Sequence, residues 1–147
     1  MAKKLFLETL AGNKSDQTPI WLMRQAGRYL KEYRAIRALQ QDFISLCLNP
    51  EQASAVTIQP ITRFKFDAAI IFSDILMVPW AMNLNVRFEP GIGPVLDPLE
   101  RPDLINFTCL EDLTKKLAPV SNALKLTSAS LPLYTALIGF AGAPWTL

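Results

Sequence analysis

The sequence predicts an α/β fold with parallel strands, from two continuous apolar runs and the helical segments around them. Ala68-Ala-Ile-Ile-Phe72 and Tyr134-Thr-Ala-Leu-Ile-Gly-Phe140 are apolar without alternation. Such runs suit strands buried on both faces, as in a parallel sheet. Stretches with helical spacing or helix-start signals precede and separate them, which is the alternation of an α/β chain.

In chain order, Phe6 to Ala11 reads as one or two helical turns ended by Gly12. Asn13 to Pro19 is polar and turn-like. Ile20-Trp-Leu-Met23 is a short strand or extended entry. Tyr29 to Leu39 reads as a helix, because Leu30, Tyr33 and Ile36 recur at helical spacing. Asn49 as N-cap and Pro50 in the first turn start a second helix that runs to about Phe64. Pro60 is expected to kink it or end it early. After the first apolar run, Ile75 to Met82 turns helical around Pro79. Asn85 to Glu89 alternates like a strand, and Gly91-Ile-Gly-Pro94 reads as a loop. Leu110 to Leu126 is a helix weakened by Pro119, and the second apolar run follows it.

The chain has 147 residues, half of them apolar, so it is long enough for one domain with a real core. The net charge of +2 is too even to imply nucleic acid or a membrane surface as a partner. Within Ile20 to Gln40, however, Arg24, Arg28, Lys31, Arg34 and Arg37 face Glu32 alone. A local basic cluster on a near-neutral protein suggests a small anionic ligand. There is no histidine, which excludes His-based triads and His-ligated metals within the chain. Cys47 and Cys109 have no CxxC or other metal-site spacing and form no disulfide framework. The first residues lack a signal-peptide core. No apolar run approaches the ~18 residues of a membrane span. A soluble, cytoplasmic protein is expected, with reduced thiols.

Three segments could carry chemistry. In Pro19-Ile-Trp-Leu-Met-Arg-Gln-Ala-Gly-Arg-Tyr29, Arg24 and Arg28 flank Gln25, Ala26 and Gly27. Two guanidinium forks and free backbone N–H groups can converge there on a carboxylate. Gly27 would permit a backbone turn that a side chain obstructs. The same arginines also read as a solvated helix face. In Phe72-Ser-Asp-Ile75, Asp74 follows a buried strand, at the sheet edge where α/β folds place ligands. It also reads as the N-cap of the next helix, the commoner role. In Gly139-Phe-Ala-Gly-Ala-Pro-Trp-Thr146, glycines after a strand could admit a ligand. The spacing is not GxGxxG and Pro144 interrupts the helix entry, which argues against nucleotide binding.

Together these segments resemble the uroporphyrinogen decarboxylase family. Met23-Arg-Gln-Ala-Gly-Arg-Tyr29 is similar to its N-terminal signature. Phe72-Ser-Asp-Ile-Leu76 is similar to its catalytic-aspartate strand, and Ile138 to Leu147 to its second signature. The resemblance covers nearly the whole chain. It implies a (β/α)8 barrel, usually a homodimer, working without a cofactor or metal. It implies that Arg24, Gln25, Ala26, Gly27 and Arg28 form a substrate-binding run and that Arg37 faces the substrate carboxylates. It also implies that Asp74 is catalytic and binds pyrrole N–H groups at the macrocycle centre.

A barrel of this kind takes about 250 residues. The chain is therefore expected to be an N-terminal fragment, with the first three or so strands and an N-terminal helical extension, and inactive alone. The family's later tyrosine, serine and histidine have no counterpart in it. Two other readings compete. One is a cobalamin-linked methyltransferase of the same fold, with a zinc site of His and Cys type. The other is a non-catalytic remnant that binds porphyrin or pairs with an intact subunit.

Overall fold

A computed structural model describes residues 4–89, 91–98 and 108–143. Helix α1 spans Leu5–Leu10, α2 Lys31–Ala38, α3 Phe43–Cys47 and α4 Pro50–Phe64. Strand β1 (Ala68–Ile70) is followed by α5 (Met77–Ala81) and the strands β2 (Val86–Glu89) and β3 (Gly93–Leu96). Helix α6 (Leu110–Ser130) then leads to β4 (Ala136–Ile138). β1 and β4 pair in parallel, Ala68 opposite Ala136 and Ile70 opposite Ile138. The two apolar runs thus become the parallel strands they predict. Among the described residues no strand lies on the outer edge of β4.

The helix predicted from Asn49 and Pro50 forms over the expected span. The Asn49 carboxamide accepts from the Gln52 N–H at 3.0 Å, satisfying one of the orphan donors of the first turn. Pro60 does not end it, which corrects that expectation: α4 continues to Phe64 with Pro60 buried inside it. A mid-helix proline costs about 3 kcal/mol in an isolated helix. Here tertiary packing offsets the cost, because Ala53, Val56 and Ile61 are buried from the same helix. Pro119 likewise lies inside α6, which continues past Leu126 to Ser130.

Two further elements differ from expectation. Helix α3 occurs where the sequence analysis placed none. Asp42 caps it, accepting from the Ser45 N–H at 2.6 Å. Gly93 and Pro94, expected in a loop, begin β3, which pairs antiparallel with β2. Gly91 and Gly93 both have positive φ, which the turn between the strands requires. Proline is tolerated at this two-stranded edge because no central ladder needs its N–H.

The core holds α2, α3 and α4 together through Leu30, Tyr33, Leu46 and Val56, with Phe72 packed against them. A second cluster of Ala53, Ile71 and Ala123 joins α4, the end of β1 and α6. Helix α4 ends at Lys65, which adopts the left-handed conformation, φ 59°, and donates its N–H to the Ile61 carbonyl at 2.9 Å. That conformation costs an L-residue about 1–2 kcal/mol. Lys65→Gly should therefore raise stability by about 1 kcal/mol. Urea unfolding at constant m-value checks this, and an unchanged midpoint would refute it.

Candidate active site

Asp74 leaves the carboxyl end of β1 from a base held on two sides. On one side the Ile71 N–H donates to the Ile138 carbonyl at 2.9 Å. On the other, the Phe72 N–H donates to the Thr57 hydroxyl at 2.9 Å. That hydroxyl donates in turn to the Ala53 carbonyl at 2.7 Å. The loop carrying the carboxylate is thereby tied to both β4 and α4.

One Asp74 oxygen accepts from the Leu76 N–H at 2.8 Å, closing a local turn. Asp74 is not the N-cap of α5, a position held by Leu76. This corrects the capping alternative: the carboxylate lies too early and bends the chain before the helix begins. Among the described residues its second oxygen has no protein donor. Burial pushes the Asp74 carboxyl above the usual carboxylate range, and the Leu76 N–H opposes that shift.

Cys47, at the end of α3, is fully buried. Its thiol is pushed up to about 12, first by burial and then by the charges of Asp74 and Asp42, with Arg37 opposing. Arg37 and Asp74 therefore act on the same buried thiol. Arg37 also donates to the Gln40 carbonyl at 3.1 Å. Burial pushes the Tyr33 hydroxyl up, and Arg37 and Arg28 both oppose it. Arg28 and Arg37 thus bear electrostatically on Tyr33, and Arg37 and Asp74 on Cys47. Neither Tyr33 nor Cys47 was singled out from sequence. Tyr33 looked like ordinary core at helical spacing and Cys47 like an isolated thiol.

The cations of the basic cluster divide by what they touch. Arg34 donates to the Arg28 carbonyl at 2.6 Å. Glu32, the cluster's one acid, is paired at 3.0 Å with Arg63 of α4. The guanidinium groups of Arg24 and Arg28 are exposed and have no acidic or hydrogen-bonding partner among the described residues. Gln25 is turned inward, 1% exposed, with its amide bonded to β1. Ala26 packs on the core cluster. Gly27 lacks a positive φ, and a Cβ there would meet the Tyr29 ring at an ordinary 3.5 Å. The expectation that its turn demands glycine is therefore corrected. In the second signature, Gly139 has open space around it, and Pro144 to Leu147 lie outside the described residues. Among the described residues no three His, Cys, Asp or Glu side chains gather as a metal site, and no helix is long and apolar enough to cross a membrane.

Fold and site together define an α/β protein with a candidate carboxylate, Asp74, just beyond the carboxyl end of a parallel strand. The family model described as Uroporphyrinogen decarboxylase (URO-D) matches residues 1–147. The chain belongs to the uroporphyrinogen decarboxylase family. It is 50% identical over 146 residues to the uroporphyrinogen decarboxylase of Jannaschia sp. (strain CCS1), covering 99% of this chain and 43% of that protein. It is also 50% identical to that of Ruegeria pomeroyi, covering 98% of this chain and 42% of the relative. For Rhodospirillum rubrum the values are 50%, 99% and 42%. The chain thus spans less than half the length of the curated relatives it matches.

Proposed function

We propose that this chain is the N-terminal part of a (β/α)8 barrel that decarboxylates the four acetate arms of uroporphyrinogen III, giving coproporphyrinogen III and carbon dioxide. The active protein is a cytoplasmic homodimer, and this portion alone is inactive. The observation that carries the reading is that Arg24 and Arg28, guanidinium groups without partners among the described residues, lie on the segment that Gln25 bonds to β1, the strand that leads to half-buried Asp74. An octacarboxylate with a central set of N–H groups complements that arrangement. Arg24, Arg28 and Arg37 pair with its acidic arms, and the backbone of Ala26 and Gly27 lies between the first two. Asp74 accepts from the pyrrole N–H groups through its free oxygen.

The chemistry needs a sink for the electrons of the breaking bond. A pyrrole protonated on a ring carbon is that sink. The carbon–carboxylate bond breaks, carbon dioxide leaves, and its electron pair neutralises the cationic ring. A proton then adds to the exocyclic methylene to make the methyl, and the ring releases its extra proton. Ionised Asp74 stabilises the cationic ring, an electrostatic contribution enlarged by its low-dielectric surroundings.

The methyltransferase and remnant readings draw no support from the relatives above, which are all named uroporphyrinogen decarboxylases. Fluorescence titration with uroporphyrin, the stable oxidised octacarboxylate, of this chain fused to the remaining length of the Jannaschia relative tests the binding assignment. Arg24→Ala and Arg28→Ala should each weaken affinity by about 1.5–3 kcal/mol, the value of a charged hydrogen bond. Lys115→Ala, in an exposed i,i+4 pair with Glu111, should leave it unchanged. Equal affinities in all three would return both arginines to the solvated surface.

A further inference from the structure

Strand β1 has two edges, and among the described residues only one meets another strand. β4 covers the first. Along the second, the Asp67 N–H donates to the Ile20 carbonyl at 2.9 Å, and the Asp67 carboxylate accepts from the Ile20 N–H at 2.8 Å. Five residues on, a side chain takes over. The Gln25 Nε2 donates to the Ala68 carbonyl at 2.6 Å, and its Oε1 accepts from the Ile70 N–H at 3.0 Å. A primary amide carries one donor side and one acceptor side, like a peptide group. It therefore satisfies two strand groups, one buried and one part-buried, that would otherwise lack partners.

We infer that Gln25 is a positioning residue: its amide bonds the Ala68 carbonyl and the Ile70 N–H of β1 and locks the Arg24–Arg28 segment in register with Asp74. The inference rests on the decarboxylase reading for its functional consequence, and it gives Gln25 a task other than touching substrate. The two arginines then owe their place to the same strand that ends at the carboxylate. Glutamate has the same shape but presents no donor to the Ala68 carbonyl. Methionine keeps the length and loses both bonds.

The test compares wild type, Gln25→Met and Gln25→Glu. Amide exchange at Ile70 and trypsin cleavage after Arg28 should each accelerate about tenfold in Gln25→Met, the effect of losing one buried and one part-buried hydrogen bond. Cleavage after Lys125, on α6, should stay at the wild-type rate. Affinity for uroporphyrin should fall about tenfold in parallel. Gln25→Glu, which retains the acceptor, should shift Ile70 exchange less while still loosening the segment at Arg28. It decides the matter with the same readouts if Gln25→Met does not fold. Wild-type exchange and cleavage combined with lost affinity would overturn the inference, because Gln25 would then contact the ligand directly. Equal acceleration after Arg28 and Lys125 would also overturn it, leaving Gln25 an ordinary core residue. If the wild-type chain, fused to the remaining length of the Jannaschia relative, fails to bind uroporphyrin, the decarboxylase reading fails instead, while exchange and proteolysis still decide the role of Gln25.

Discussion

Asp74→Asn should lower kcat on the order of 10²–10³-fold without lowering thermal stability. The assay fuses this chain to the remaining length of the Jannaschia relative and follows loss of carboxyl groups from uroporphyrinogen. Asparagine keeps the oxygen that accepts from the Leu76 N–H, so the turn survives while the charge is lost. The stability effect has a definite sign. Burial raises the folded-state pKa of Asp74, so the ionised carboxylate costs stability above that pKa. The cost fades as the pH falls through the raised value towards the ordinary aspartate range. The asparagine variant should therefore equal or exceed wild type in thermal midpoint at neutral pH, with the difference closing in acid. The acid limb of kcat/KM should lie above the ordinary aspartate range in wild type and vanish in the variant. Undiminished turnover in Asp74→Asn would end the catalytic assignment.

Leu46→Ala should cost about 2–5 kcal/mol, the range for deleting a fully buried leucine side chain. Leu46 is 0% exposed and stands among Leu30, Tyr33 and Val56. Its removal opens a void between α2, α3 and α4, next to the thiol that Asp74 and Arg37 both influence. Urea unfolding of the chain measures the loss. A change under about 1 kcal/mol would mean that the three helices close over the gap and that this cluster does not organise the core.

Local signals carried far in some elements and failed in others for physical reasons. Helix α4 was legible because Asn49, Pro50 and the first turn act within a few residues of one another. The strands β1 and β4 were legible because burial on both faces demands uninterrupted apolar sequence. Helix α3 has a readable cap in Asp42, but five residues are too few to display a helical period. Strand β3 begins with Gly93 and Pro94, residues disfavoured in strands, and exists through its pairing with β2. Pro60 misled because packing at α4 outweighs backbone propensity. At the site, Arg24, Arg28 and Asp74 were legible as residue types in a pattern. The inward turn of Gln25 depends on contacts 43 and 45 residues away, which no local window contains.

The unequal edges of the parallel pair give the sheet a direction of growth. One border is sealed by a carboxamide and a clasp around Asp67. The other, along β4, has no strand against it among the described residues. An unpaired edge of this kind is a template for another strand. In a closed barrel the next parallel strand would take that template and leave no exposed edge there for pairing between chains.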